Sequence, residues 1–219
     1  MSKSIHQIIN EQVKRWEMEK KEDRSIPESV NIVTISRESG SRGYEVAKQF
    51  CRETGFDLFH NKILEAMVEA SKTSRVLLET LDERGMNIVD DIVSNFVNEH
   101  HLWPDDYSKL LFKILTTISK HGNAVILGRG ANCVLHKQNV LRVRIVSPLT
   151  SRRDYIQKSL DLNIDDAQKH IVRTDADRIA FVKRYFNSDA TDPSHYDLIL
   201  NTGTLSVEKA VQIITCAIS

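Results

Sequence analysis

Apolar positions in the first half of the chain change period repeatedly, and each change marks an element. Ile5, Ile8, Ile9, Val13 and Trp16 recur at helical spacing, and a charge-dense run follows at 17–24. This predicts an amphipathic helix ending before Pro27, inside an arm of residues 1–29. Ile32, Val33 and Ile35 form a short β-branched run that predicts a buried strand, and helical spacing resumes at Val46, Ala47, Phe50 and Cys51. A second strand is predicted at 56–59. A helix over 61–71 follows, with Ile63, Leu64, Met67 and Val68 on one side. Residues 76–81 continue that spacing until Gly85 interrupts it. Ile88, Val89, Ile92, Val93, Phe96 and Val97 predict a helix over 86–101 whose apolar stripe is core packing. Trp103 and Pro104 break the chain. The next helix opens at Pro104 or Asp105 and runs to Lys120, with Gly122 as its C-cap.

The second half is more regular. Residues 124–127 predict a third strand. Residues 140–146 predict a fourth, in which Arg142 and Arg144 alternate with Leu141, Val143 and Ile145 and read as facing solvent. Pro148 opens a helix carrying Arg152, Arg153 and Lys158. A long helix over 165–186 carries Arg173, Arg178, Lys183 and Arg184, and a polar loop follows at 187–195. The fifth strand is predicted at 196–200. The closing helix, 206–218, has Ser206 as N-cap and Glu208 in its first turn. Short apolar strands alternating with helices predict an α/β fold, a parallel sheet with helices on both faces. The helical stretch between the second and third strands far exceeds the dozen or so residues of a simple crossover, so it reads as an insert.

Composition narrows the function classes. A chain of 219 residues suits one α/β domain or a domain plus an arm. Thirty Lys and Arg balance thirty Asp and Glu, so no global charge argues for nucleic acid or an anionic membrane. Apolar runs are far shorter than the roughly 20 residues that span a bilayer, and the polar N-terminus has no signal-peptide core. Cys51, Cys133 and Cys216 sit among apolar neighbours and read as buried, reduced thiols, so a cytoplasmic location is expected. The eight histidines form no metal-ligand spacing, and residues 40–43 do not form a serine nucleophile elbow.

Candidate chemistry gathers at residues 31–48. A strand, a turn containing Gly40 and Gly43, and a helix form the arrangement that holds phosphate on backbone N–H groups at a helix N-terminus. It approaches the pattern G-x-x-x-x-G-K-[ST], but no Lys follows the second glycine. Ligands of open parallel sheets bind beyond the carboxyl ends of the strands. Three such ends are marked here: 37–43, 128–130 and 201–203. Arg129 between Gly128 and Gly130 allows close backbone approach to a ligand. Convergent arginines suit phosphate oxygens because each guanidinium donates two parallel hydrogen bonds.

These pieces, in order, resemble the cytidylate-kinase-like family, relatives of bacterial cytidylate kinase among the P-loop nucleoside monophosphate kinases. The resemblance is carried by Val-Thr-Ile-Ser-Arg-Glu at 33–38, Gly40-Ser41 with Gly43, Leu-Asp-Glu-Arg at 81–84 and Val-Ile-Leu-Gly-Arg-Gly-Ala-Asn at 125–132. The arginine helix at 173–186, Asp192-Pro193-Ser194 and residues 196–210 continue it, and Arg15-Trp16-Glu17 is similar to arms on some members. It implies a P-loop NTPase-type domain over 30–219: a five-stranded parallel core, a helical NMP-binding insert within 60–121, and an arginine-rich helical lid within 150–190. It also implies ATP phosphates at Arg37, Ser39, Gly40, Ser41, Arg42, Gly43 and Tyr44, and a pyrimidine monophosphate near Asn61 and Arg129. Arg173 and Asp177 match positions that bind substrate or order the lid in true cytidylate kinases. Arg178 and Arg184, chosen for their charge on the same helix, complete the catalytic candidates.

The chain also departs from that pattern. The P-loop lysine position holds Gly43, the Mg2+-binding hydroxyl position Tyr44 and the first glycine position Arg37. The Asp expected at the NMP-helix start is His60, and Gly130 replaces the Asp that follows Gly-Arg. The implied cofactor is ATP with Mg2+, for which the sequence identifies no protein ligand beyond Glu38 or Glu45 nearby. Two readings stay open. One is a phosphotransferase moving the ATP γ-phosphoryl group to CMP or a similar nucleoside monophosphate. The other is a non-catalytic nucleotide-binding sensor on the same fold. Expected partners are nucleotides, with neither nucleic acid nor membrane, and a homodimer contact through the N-terminal helix is the alternative to its packing on its own domain.

Overall fold

Ile32, Val33, Thr34 and Ile35 are all buried, as a strand covered on both faces requires. The computed structural model describes residues 4–19, 30–69, 71–81, 83–99, 102, 104–135 and 139–218. In chain order these form α1 (Ile5–Glu19), β1 (Ile32–Arg37), α2 (Gly43–Thr54), β2 (Asp57–His60), α3 (Asn61–Glu69), α4 (Ser71–Glu79), α5 (Glu83–Glu99) and α6 (Asp106–His121). Then come β3 (Ala124–Leu127), α7 (Ala131–Val134), β4 (Val140–Val146), α8 (Leu149–Leu160), α9 (Ile164–Phe186), β5 (Leu198–Asn201) and α10 (Val207–Ile218). The five strands form one parallel sheet in the order β2-β3-β1-β4-β5.

The period-2 alternation divides the core between the two faces. Ile32, Phe59, Ala124 and Ile126 join one cluster with residues of α1, α3 and α6, while Val33, Ile35, Val125 and Leu127 join another with α2 and α10. Ile156, Ala167 and Ile171 make a third, smaller cluster that fastens α8 to α9. That pair therefore has a core of its own beside the sheet.

Most of the apolar stripe of α1 packs on its own domain. Ile9, Val13 and Trp16 are buried, and Trp16 stacks on His121 at 4.1 Å and on Phe59 at 5.9 Å. Gln12 donates to Asp57 at 3.2 Å and Arg15 pairs with the same carboxylate. Ile8 of the same stripe stays exposed. The expected end before Pro27, Asp82 of the 81–84 piece, and Trp103 of the chain break lie outside the described residues.

Two local expectations need correction. Gly85 does not interrupt a helix but lies in the first turn of α5, where N–H groups lack intrahelical partners and glycine costs least. Arg142 and Arg144 do not face open solvent. The backbone N–H of Arg142 donates to Asp197 Oδ2 at 2.8 Å, and its guanidinium forks onto the same carboxylate at 3.1 and 2.6 Å. Arg144 donates to the carbonyl of Ala190 and lies 5.5 Å from the Tyr196 ring. Alternation fixes the face of a strand residue, not what packs over it.

The Arg142–Asp197 fork docks β5 on β4, and hydrogen bonding to Arg142 holds the Asp197 carboxyl below its ordinary pKa. A depressed carboxyl adds stability that is present above its unfolded pKa and lost as pH falls through the folded one. Asp197→Asn is expected to lower unfolding free energy by about 1 kcal/mol at pH 7, after allowance for partial exposure. Urea unfolding across pH checks this: the gap to wild type should close below the ordinary aspartate range.

Candidate functional site

β1 ends in Arg37, and the backbone N–H of Glu38 still bonds the Ile145 carbonyl of β4 at 3.1 Å before the chain turns away from the sheet. The turn closes through Ser41, whose buried hydroxyl is 2.9 Å from the Glu38 carbonyl and 3.2 Å from that of Ile145. Thr202, past β5, donates to the Ser41 carbonyl at 2.8 Å. Arg42 adopts a left-handed conformation as the N-cap of α2, with its side chain exposed, and Gly43 and Tyr44 open the first turn. Tyr44 is half exposed and meets the His60 ring edge-on at 6.1 Å.

The lid-like pair α8–α9 reaches over this turn. Asp175 Oδ1 accepts from the backbone N–H of Ser39 at 2.7 Å. Arg152 donates to Asp175 Oδ2 at 2.5 Å and to the Ser39 carbonyl at 3.3 Å, and its Nε lies 3.6 Å from Glu38 Oε2. Arg178 donates to the Arg37 carbonyl at 3.0 Å and lies 3.8 Å from Asp175. A carboxylate thus rests on one of the N–H groups that a phosphate would use.

Two cavities meet here. One, of about 660 Å3, is lined by the glycine turn with Arg42, Tyr44, Glu45, His60 and Tyr155. The other, of about 500 Å3, is lined by Arg129, Asn132, Asp177, Phe181 and Thr191 among others. Arg37, Glu38, Asn61 and Arg178 line both. Arg37 therefore stands in the shared wall. Gly128 lets it stand there, because a Cβ at that position would overlap Arg37 Nη1.

Electrostatics mark the same wall. Burial, and then the neighbouring Arg178 and Arg129, bring the Arg37 pKa down to about 9. Burial also lowers those of Arg178 and Arg129. His60 is pushed below its usual value by burial and then by Lys62 and Arg37, so it stays neutral at pH 7. Arg129 pairs with Glu65 of the insert and lies 4.7 Å from the Phe181 ring, which places it between α3 and α9. Along the two cavities Arg37, Arg42, Lys62, Arg129, Arg144 and Arg178 outnumber Glu38, Glu45, Asp175 and Asp177, a balance suited to an anion.

The expected residues divide clearly. Arg37, Gly40, Arg42, Gly43, Tyr44, Asn61, Arg129, Asp177 and Arg178 border one cavity or both. Ser39 offers an N–H that Asp175 already holds, and Ser41 is turned inward. Arg173 is exposed and borders neither cavity. Arg184 lies 5.2 Å from the Tyr185 ring and borders a separate hollow with Asp105 and Ser108. Sequence reasoning missed Arg152, Asp175 and Glu65. The available signal was position: Arg152 follows β4 at the same sheet end as the turn, and Asp175 precedes Arg178 by three residues, hence on one helix face.

The residues present do not fit a protein-held Mg2+. Tyr44 replaces the hydroxyl ligand, Glu38 already accepts from the backbone N–H of Ser147 at 3.1 Å beside Arg152, and Glu45 accepts from the Tyr155 hydroxyl. Arg37, Arg152 and Arg178 around the turn would also repel a divalent cation.

Known proteins resemble this chain over most of its length. The profile of the cytidylate kinase-like family matches residues 32–204. A protein of Methanocaldococcus jannaschii described as cytidylate kinase is 27% identical over 146 residues, which is 65% of this chain and 79% of that one. The crystal structure of an uncharacterized protein from Eubacterium ventriosum superposes with a TM-score of 0.68 at 20% identity, covering 85% of this chain and 97% of that one.

Proposed function

The chain belongs to the cytidylate kinase-like family, and from that premise we propose that it moves the γ-phosphoryl group of ATP to CMP or a similar nucleoside monophosphate. The observation that carries this reading is the shared wall: the two cavities meet at Arg37 and Arg178. ATP phosphates lie on the glycine-turn side, over the N-terminus of α2 in a P-loop-like turn. The acceptor lies on the Arg129 side, between an NMP-binding insert within 60–121 and a lid within 150–190, on the domain 30–219 that carries the arm 1–29. In the transfer, an acceptor phosphate oxygen attacks the γ-phosphorus, the bond to the β,γ-bridging oxygen breaks, and ADP leaves. The nucleophile is already an anion, so the protein's work is positioning and charge stabilisation. With α8–α9 docked over the turn, Arg178 is held at the junction and water is excluded, which limits idle ATP hydrolysis.

The test is ADP release by the purified chain with ATP and Mg2+, across a panel of ribo- and deoxyribonucleoside monophosphates. Acceptor-dependent ADP formation, greatest with CMP or a close analogue, is the expected result. A folded sample that turns over none of them would sink the reading. A second reading, a nucleotide-binding sensor, is favoured by the contact of Asp175 with the Ser39 N–H. It predicts saturable thermal stabilisation by a nucleotide without turnover.

A further inference from the structure

Arg37 is an unusual cation for the end of a buried strand. Its side chain is partly buried in the wall between the two cavities, and no hydrogen bond or ion pair to another described residue engages its guanidinium. Its charged neighbours are Arg178, Arg129 and, opposing them, Asp175. Asp175 itself is committed to Ser39 N–H and Arg152. A partly buried charge without a hydrogen-bonded partner, beside two like charges, costs stability in a fold that has no use for it. Here it is also fixed in place. A Cβ at Gly43 would come within 2.7 Å of Arg37 Cβ, so α2 packs closely on its stem, while Gly128 leaves room for its tip. The backbone on both sides makes space for this one side chain.

The charges around it complete the argument. Besides Asp175, the carboxylates Glu38 and Glu45 already accept from Ser147 N–H and the Tyr155 hydroxyl, and burial, then Lys62 and Arg37, keeps His60 below its usual pKa. We propose that Arg37 grips the phosphoryl group at the junction of the two cavities, doing with a guanidinium fork what a lysine and a protein-held Mg2+ do in the pattern this turn approaches. The ligand class is a phosphate ester or polyphosphate, and the site binds it without a divalent cation. A planar fork donates two parallel hydrogen bonds to adjacent phosphate oxygens and brings one positive charge, so it serves as clamp and counter-charge together. This deepens the phosphotransfer reading and rests on it only for the transfer step.

The experiment is calorimetric titration of the full chain with inorganic pyrophosphate in EDTA, repeated with Mg2+. Wild type is expected to bind saturably in EDTA, with an affinity that Mg2+ changes by less than about threefold. Arg37→Met is expected to weaken binding by about 10- to 100-fold, the usual loss for a charge-assisted pair, and Arg37→Lys to restore part of it. Unliganded Arg37→Met should melt no lower than wild type, and up to about 2–4 °C higher. A structural arginine would give the opposite shift. Binding seen only with Mg2+, or pyrophosphate affinity unchanged in Arg37→Met, would overturn the proposal. Arg37-dependent binding in EDTA with no nucleotide turnover would leave this inference standing and remove the kinase reading. Wild-type turnover by Arg37→Met would do the reverse.

Discussion

Arg178→Met is expected to lower kcat for nucleoside monophosphate phosphorylation by about 10³-fold while KM changes by less than about threefold. Arg173→Ala and Arg184→Ala should stay within about twofold of wild type. All three arginines lie on α9, so charge on that helix does not separate them; position does. Arg178 borders both cavities and holds the Arg37 carbonyl at 3.0 Å, whereas Arg173 borders neither and Arg184 borders the hollow beside Asp105. Burial lowers the Arg178 pKa, and in the phosphotransfer reading this partly buried guanidinium would face the point where phosphoryl charge redistributes. Such a charge acts most strongly in the transition state, which is why the loss falls on kcat. Steady-state ADP release by the three variants, with melting temperatures as the folding control, measures this. Equal losses at Arg173 and Arg178, or an Arg178 effect confined to KM, would remove Arg178 from the reaction.

The sheet was legible because its signals are local. Residues 32–35 and 124–127 are short apolar runs with no polar face, and such runs suit strands buried on both sides. The glycine turn and Arg129 were legible as strand-end features too, since turn chemistry and strand ends are fixed by near neighbours, whereas Asn61 came from the family resemblance. What could not be read was every pairing across long sequence separations. Asp175 caps the N–H of Ser39 from 136 residues away, Arg152 reaches the same turn from 113, and Arg144 bonds a carbonyl 46 residues on. These contacts follow from how α8–α9 docks, and no periodicity within either helix encodes that. Which of Arg173, Arg178 and Arg184 borders the cavities was not legible for the same reason. A helix pattern gives relative angles about its axis, but not which angle faces the ligand.

Gly130→Ala is expected to destabilise the fold by about 3 kcal/mol and lower the melting temperature by about 6–12 °C. Two costs combine. Gly130 has φ +66°, a left-handed conformation that an L side chain adopts at about 1–2 kcal/mol. Its missing Cβ is also where the Phe186 ring lies, so a methyl there would overlap the ring. Phe186 cannot step aside easily: it is fully buried, with the Phe112 ring at 5.3 Å and the Phe181 ring at 6.1 Å. Gly55→Ala separates the two costs, because Gly55 has φ +79° but nothing within 4 Å of a built Cβ. That variant should lose only the backbone part, about 1 kcal/mol. Comparable losses at the two glycines would mean that the ring contact carries no packing cost. The clash also has a direction. Phe186 ends α9, and Phe181 on the same helix lies beneath the Arg129 guanidinium. A displaced ring therefore shifts the face that carries Arg178, and folded Gly130→Ala should lose acceptor-dependent turnover beyond its loss of stability. Phe186→Leu in the Gly130→Ala background removes the atoms nearest the new methyl. It should recover part of the melting temperature, whereas in the wild-type background the same change lowers it.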